Sequence, residues 1–208
     1  IHCHQSEEIA QALCRELNSK RNSSAQVVVA DLGDNEAIKK LTQTIKSLDL
    51  LVNNASVFYP TSTENSTIED WNKIININLK APFFITTGLS KVLETSQGSI
   101  VNIIDIHSDR PLKNHSIYNI SKAGLKMLTK TLAKELAPNI RVNGVSPGSI
   151  LWPQGLAELS QEEKFNMLDR IALNKHGSTE DIAEAVLFLA DAKYITGQVI
   201  NIDGGRSL

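Results

Sequence analysis

Cysteine is scarce in this chain. Only Cys3 and Cys14 occur, too few for a disulfide framework and not spaced as a C-x-x-C pair. No apolar run approaches the roughly 18 residues of a membrane span, and no signal-peptide pattern is visible. Neither sign of charge is in excess: 21 Lys and Arg stand against 23 Asp and Glu, a formal net charge of −2. That balance gives no footprint for nucleic acid or a membrane surface. Histidine offers no metal cluster either. His2 and His4 are the close pair, without a partnering cysteine or carboxylate motif. The reading is a cytoplasmic protein with no metal, and 208 residues suit one domain, residues 1–208, with a sizeable core.

Short apolar runs alternate with longer amphipathic ones. Ala25–Ala30, Leu48–Val52, Ser99–Ile104, Ile140–Val145 and Gln198–Ile202 read as strands, and Ile1–His4 as the end of another. Between them the spacing predicts helices over Glu7–Lys20, Asn35–Ser47, Ile68–Glu94, Ile117–Leu136 and Thr179–Ala190. Strands alternating with helices predict a doubly wound, Rossmann-type α/β fold: one parallel sheet in a three-layer α/β/α arrangement. Such sheets bind ligands beyond the carboxyl ends of their strands, so chemistry is expected just after each apolar run.

A dinucleotide fold opens with a strand and a glycine-rich phosphate loop, yet the first glycine here is Gly33. The expectation is that a first strand, glycine loop and helix, roughly 25–30 residues, are missing before Ile1, leaving a gap in the sheet.

Tyr118 and Lys122 lie four apart at the start of a helical pattern, which puts them on one face. A nearby ammonium favours phenolate and is expected to lower the Tyr118 pKa into working range. The spacing alone is common on protein surfaces, but a buried strand upstream and small helix residues downstream add context. Asp105 ends a strand thirteen residues before Tyr118; it either faces the ligand crevice or caps a turn. Asn53-Asn54-Ala55-Ser56 follows another strand, where amides bridge backbone or simply turn it. Phe58 and Tyr59 come next, to stack on a planar ligand or to plug the core. Asn78 sits inside a helical pattern that it is able to bend. Asp31-Leu32 either meets an adenine amino group or caps the next helix with Asp34. Pro147-Gly148 offers open backbone to a nicotinamide. At the end of the His2 strand, His2, His4, Gln5 and Ser6 stand where NAD sites place an acid for the ribose hydroxyl. Their lack of acid favours a 2′-phosphate and hence NADPH; they also suit an ordinary surface.

Together, Asp31-Leu32, Asn53-Asn54-Ala55, Asn78, Tyr118-x-x-x-Lys122, Pro147-Gly148 and Asp203-Gly204-Gly205 resemble the short-chain dehydrogenase/reductase family. The family's usual serine, about thirteen residues before the tyrosine, is replaced by Asp105. An ionised carboxylate offers a carbonyl no hydrogen-bond donor. That replacement is a mark of the pteridine reductase subgroup, which His2–Ser6, Asn53–Thr61, Arg110-Pro111-Leu112 and Ile150–Pro153 also resemble.

The resemblance implies NADPH-dependent reduction of a dihydropterin, dihydromonapterin or dihydrofolate to its tetrahydro form. Asp105, Tyr118, Lys122 and Asn78 would be catalytic. Lys122 would hold the nicotinamide ribose, Tyr118 and Asp105 would manage protons, and Asn78 would support Lys122 through water. The cofactor would meet His2, His4, Gln5, Ser6, Asp31, Leu32, Asn53, Ala55, Ser56, Tyr118, Lys122, Pro147, Gly148 and Ser149. Ser56, Phe58, Asp105, Tyr118, Leu151 and Trp152 would meet the pterin or folate, with Phe58 and nicotinamide sandwiching the ring. The subgroup's usual arginine at position 5 is Gln5 here, and its pterin-contacting arginine belongs to the absent glycine loop. A substrate lid is expected over about 152–165, and a homotetramer with the long helices at its interfaces. Two other functions remain open: reduction of another carbonyl or imine, such as a 3-oxoacyl thioester, and an inactive nucleotide-binding regulator.

Overall fold

A computed structural model describes residues 1–150 and 160–208. Six parallel strands, β1 (His2–Cys3), β2 (Val28–Val29), β3 (Leu50–Asn53), β4 (Ser99–Ile103), β5 (Arg141–Pro147) and β6 (Val199–Ile202), alternate with helices. The helices are α1 (Glu7–Lys20), α2 (Asn35–Thr44), α3 (Ile68–Ile75), α4 (Ala81–Thr95), α5 (Ser116–Glu135), α6 (Gln161–Leu168) and α7 (Thr179–Asp191). The architecture is the expected Rossmann-like one, a parallel sheet flanked by helices.

Local chemistry explains the helix starts. Ser178 accepts from the Asp181 N–H and Asp181 answers to the Ser178 N–H, a capping box that opens α7. Thr67 and Asp70 open α3 in the same way. Asp34 caps α2 by accepting from the Glu36 N–H. The single helix expected over Ile68–Glu94 is instead two, joined by a π-helical turn at Asn76–Lys80. Asn78 lies within that turn, bonded across to Val57 rather than solvated, and a π-turn is a usual source of such a break.

Two apolar clusters fill opposite faces of the sheet. Ile100 and Val142 pack with Ile38, Ile85, Leu89, Leu93 and Leu132, contributed by α2, α4 and α5. Val101 and Val145 pack with Leu189 of α7. The alternation along β4 and β5 sends successive side chains to opposite layers, which is why apolar residues stand at consecutive positions such as Ile100 and Val101.

The parallel sheet has a gap, as the sequence reading expected. β1 pairs with β2, while β3-β4-β5-β6 form a separate sheet. Between β1 and β3 lies an apolar groove of about 370 Å³ lined by Ile1, Val28, Leu51, Val52 and Ile85 among others. The facing edges of β1 and β3 share no hydrogen bonds there, so the sheet divides at this place.

One polar chain runs through the core. Asn53 Nδ2 donates to Asn102 Oδ1 at 2.8 Å, and Asn102 Nδ2 donates to Thr129 Oγ1 at 2.8 Å. Thr129 in turn donates to the Leu125 carbonyl. These three bonds tie β3 to β4 and β4 to α5 through partners that replace water in the core. Asn102→Ala leaves the Asn53 amide unpaired in the core, so unfolding free energy is expected to fall by about 1–3 kcal/mol. A urea titration reads this as an earlier midpoint, and an unmoved midpoint contradicts it.

Candidate active site

The carboxyl ends of β4 and β5 and the first turns of α5 bring the reactive groups together. Asp105 follows β4 and caps a short 3₁₀ turn, its Oδ1 accepting from the His107 N–H at 2.8 Å. Its other oxygen accepts from the Tyr118 hydroxyl at 2.7 Å. The two sequence alternatives for Asp105, turn cap and crevice carboxylate, are thus both realised, one on each oxygen. One turn further along α5, the Lys122 ammonium donates to the Ile103 carbonyl at 3.0 Å. It lies 5.7 Å from the centre of the Tyr118 ring. Tyr118 is 4% exposed and Lys122 3%.

The electrostatics differ from the sequence expectation. Lys122 does not set the state of the phenol. Burial first, and then the charge and hydrogen bond of Asp105, raise the Tyr118 pKa above its ordinary value. A carboxylate that accepts the phenolic proton favours the protonated form. Burial lowers the Lys122 pKa to about 8, against an upward pull from Asp105. The site therefore holds a phenol as donor, a carboxylate as acceptor and an amine that titrates near neutrality.

Phe58 stands over this group, 57% exposed. Its ring stacks on His115 at 4.7 Å and 13° and meets Tyr118 edge-on at 4.8 Å. It is no core plug. Asn78 holds the loop beneath Phe58. It accepts from the Val57 N–H at 2.8 Å and donates to the Val57 carbonyl and to Ser121 Oγ. Its direct partners are therefore the loop and α5, not Lys122.

A second cavity of about 300 Å³ lies beyond β1 and β2, lined by His2, His4, Ser6, Asp31, Leu32, Ala55 and Ser56 among others. Seven of the expected cofactor contacts thus share one hollow. Ser6 precedes α1 without spending its side chain as a cap, and His4 Nε2 stands 3.9 Å from Asp31 Oδ2. Asp31 also accepts from the Gly33 N–H. The hollow and the lysine fit a nicotinamide dinucleotide: polar side chains at the rim, apolar Leu32 and Ala55 in the wall. Such a cofactor supplies hydride.

The other expected residues lie elsewhere. Gln5 is exposed and does not line the hollow. The Asn53 side chain is buried and its amide nitrogen donates to Asn102 within the sheet. Gly148 donates to the Ile202 carbonyl at 3.0 Å. A Cβ there would meet Asp203 Cβ at 2.6 Å, so this glycine lets the loops after β5 and β6 touch. Pro147 ends β5, and Ser149 accepts from the Arg206 guanidinium. Leu151, Trp152 and most of the expected lid lie outside the described residues. The rest of that lid belongs to α6 and the residue before it. Sequence reasoning missed Asn102, Thr129, Ser121 and His115. The one available signal was an asparagine inside the otherwise apolar run that makes β4.

A model of the family described as enoyl-(acyl carrier protein) reductase matches residues 1–207. The chain belongs to the short-chain dehydrogenase/reductase family. Among its relatives in that family, the 3-oxoacyl-[acyl-carrier-protein] reductase of Thermotoga maritima is 40% identical over 174 residues, covering 82% of this chain and 70% of the relative. The corresponding reductase of Aquifex aeolicus is 38% identical, covering 95% and 83%. The L-xylulose reductase of Mesocricetus auratus is 36% identical, covering 86% and 76%. A blue fluorescent protein from a metagenomic library, solved with NADPH, superposes with a TM-score of 0.89 at 28% identity, covering 100% of this chain and 86% of that one. The chain is an oxidoreductase of a family that binds nicotinamide cofactors. Among the described residues no helix is long and apolar enough to cross a membrane.

Tyr118→Phe removes the proton donor and nothing else from the site. Turnover is expected to fall by about 10²–10⁴-fold, with nicotinamide affinity, measured by fluorescence titration, nearly unchanged. Because Lys122 loses its positive charge near pH 8, kcat/KM is expected to decline as pH rises through that value. The Asp105 charge pulls the lysine pKa upward, so Asp105→Asn moves the lysine titration, followed by NMR of labelled lysine, to lower pH. A lysine that keeps titrating at its original pH in this variant refutes the coupling.

Proposed function

We propose that this chain reduces a dihydropterin ring, as dihydrobiopterin, dihydromonapterin or dihydrofolate, to its tetrahydro form with NADPH. The observation that carries the reading is the Asp105 carboxylate bonded to the Tyr118 hydroxyl at 2.7 Å, under an exposed Phe58. A pterin is flat and carries ring N–H and amino donors. A carboxylate accepts from such donors, and an exposed aromatic offers the ring a stacking face. Reducing a ring C=N bond needs a hydride and a proton. Tyr118 holds a proton for that step, and Asp105 is placed to pass one on. NADPH rather than NADH is supported by His2, His4 and Ser6 lining the dinucleotide hollow and by the NADPH held in a structural neighbour.

The curated relatives favour a second reading, reduction of a 3-oxoacyl thioester, since several of them carry that name at 37–40% identity. Against it stands the chemistry of Asp105. A carboxylate beside a substrate carbonyl oxygen repels it, where the family's usual serine donates a hydrogen bond.

Two further features complete the proposal. A cytoplasmic setting agrees with Cys3 and Cys14 as free thiols. A homotetramer packed through α4 and α5 agrees with the exposure of Phe83 and Phe84 on the one and Ile120 and Met127 on the other.

Steady-state assays with dihydrobiopterin, dihydrofolate and acetoacetyl thioester, each with NADPH and with NADH, decide between the readings. Turnover of the pterins is expected; turnover of the thioester alone ends the pterin reading. Asp105→Ser is expected to lower pterin kcat/KM by about 10²-fold, and unchanged pterin kinetics contradict the role given to Asp105.

A further inference from the structure

The loop that carries Phe58 is fastened on both sides of that residue. Asn78 grips Val57 through its N–H and its carbonyl. Beyond Phe58, the Lys73 ammonium lies 5.5 Å from the centre of the Tyr59 ring, and the Thr61 N–H donates to the Asn114 carbonyl at 2.6 Å. The Ser116 hydroxyl donates back to the Thr61 carbonyl at 3.0 Å, so the loop runs beside the start of α5. The backbone is thus set, but the Phe58 side chain, 57% exposed, has no core around it. Among the described residues two rings touch it, Tyr118 edge-on and His115 face to face. His115 precedes α5, yet its side chain does not cap the helix. Its Nδ1 lies 2.9 Å from the Lys113 carbonyl. A carbonyl only accepts, so Nδ1 carries the proton and donates. That bond fixes the imidazole plane, which lies 13° from the plane of the Phe58 ring.

An exposed phenylalanine with room on both faces samples several rotamers, and a substrate that stacks on it must first order it. A neighbouring ring held by its own hydrogen bond does that ordering in the folded protein, before substrate arrives. It covers one face of Phe58 and leaves the other to stack. We infer that His115 is a positioning residue: its imidazole backs Phe58, holds that ring in one rotamer beside Tyr118, and so favours a flat substrate ring. The inference rests on the pterin reading above and adds to it the residue that sets the stacking wall.

Two substitutions separate the ring from its hydrogen bond. His115→Asn keeps a donor for the Lys113 carbonyl and removes the ring, and His115→Phe does the reverse. With dihydrobiopterin, His115→Asn is expected to raise KM about fivefold, the scale of one aromatic pair, with kcat within about twofold of wild type. His115→Phe is expected to restore the wild-type KM. In a Phe58→Ala background, His115→Asn should add nothing, because it acts through that ring. An unchanged KM in His115→Asn, an equal loss in the Asn and Phe variants, or a fully additive loss in the Phe58→Ala background overturns the role. The Phe58 rotamer, read by NMR couplings to its Cγ, needs no turnover. One rotamer is expected in wild type and His115→Phe, and averaging in His115→Asn; a single rotamer in all three also overturns the inference. Wild-type protein that reduces no pterin overturns the preceding reading instead, and the rotamer measurement then decides the positioning role by itself.

Discussion

A buried ammonium organises this molecule. Lys122 is 3% exposed, and such a group persists in a protein interior only with partners to replace water. Its partners here are the Ile103 carbonyl at the end of β4 and the charge of Asp105 two residues on. Holding that ammonium fixes the rotation of α5 above the strand ends. Tyr118, one turn earlier, is then delivered to the free oxygen of Asp105. The same helix face presents Ser121 to Asn78 and Thr129 to Asn102. One helix orientation therefore sets the proton donor, its acceptor and the loop that carries Phe58.

The site draws its precision from buried polar pairs rather than from apolar packing alone. Apolar contacts tolerate small slides, whereas each amide of the Asn53–Asn102–Thr129 chain is satisfied in one register. Asn78 acts the same way on the other side, gripping both the N–H and the carbonyl of Val57 from within a π-turn. An asparagine in a helix interior is usually a weak choice. Here the widened turn frees its side chain to act as backbone for the neighbouring loop.

Much of this was legible in the sequence. Alternating apolar runs and amphipathic stretches identify a parallel α/β sheet, because strands buried on both faces leave continuous Val and Ile runs and helices leave a 3.6-residue period. Ser178 and Asp181 announce their helix by local bonds alone. The four-residue step from Tyr118 to Lys122 placed both on one helix face, and Asp105 at a strand end was open to two readings, turn cap or crevice carboxylate. What sequence spacing cannot carry is the balance of long-range forces. The expectation that lysine lowers the tyrosine pKa was reasonable for two neighbours on a helix, but burial and a carboxylate from another element outweighed it. Likewise the amide nitrogen of Asn53 finds its acceptor in Asn102, 49 residues away.

Composition, period and local caps thus determined the kind of fold and the order of its parts, since those depend on interactions within a turn or two of chain. Only the tertiary structure decided the pairing of Asn53 with Asn102, the state of the Tyr118 phenol and the meeting of Arg110 with Arg206. Each of these turns on burial or on distances between segments far apart in sequence, where Coulomb and desolvation terms change steeply with position.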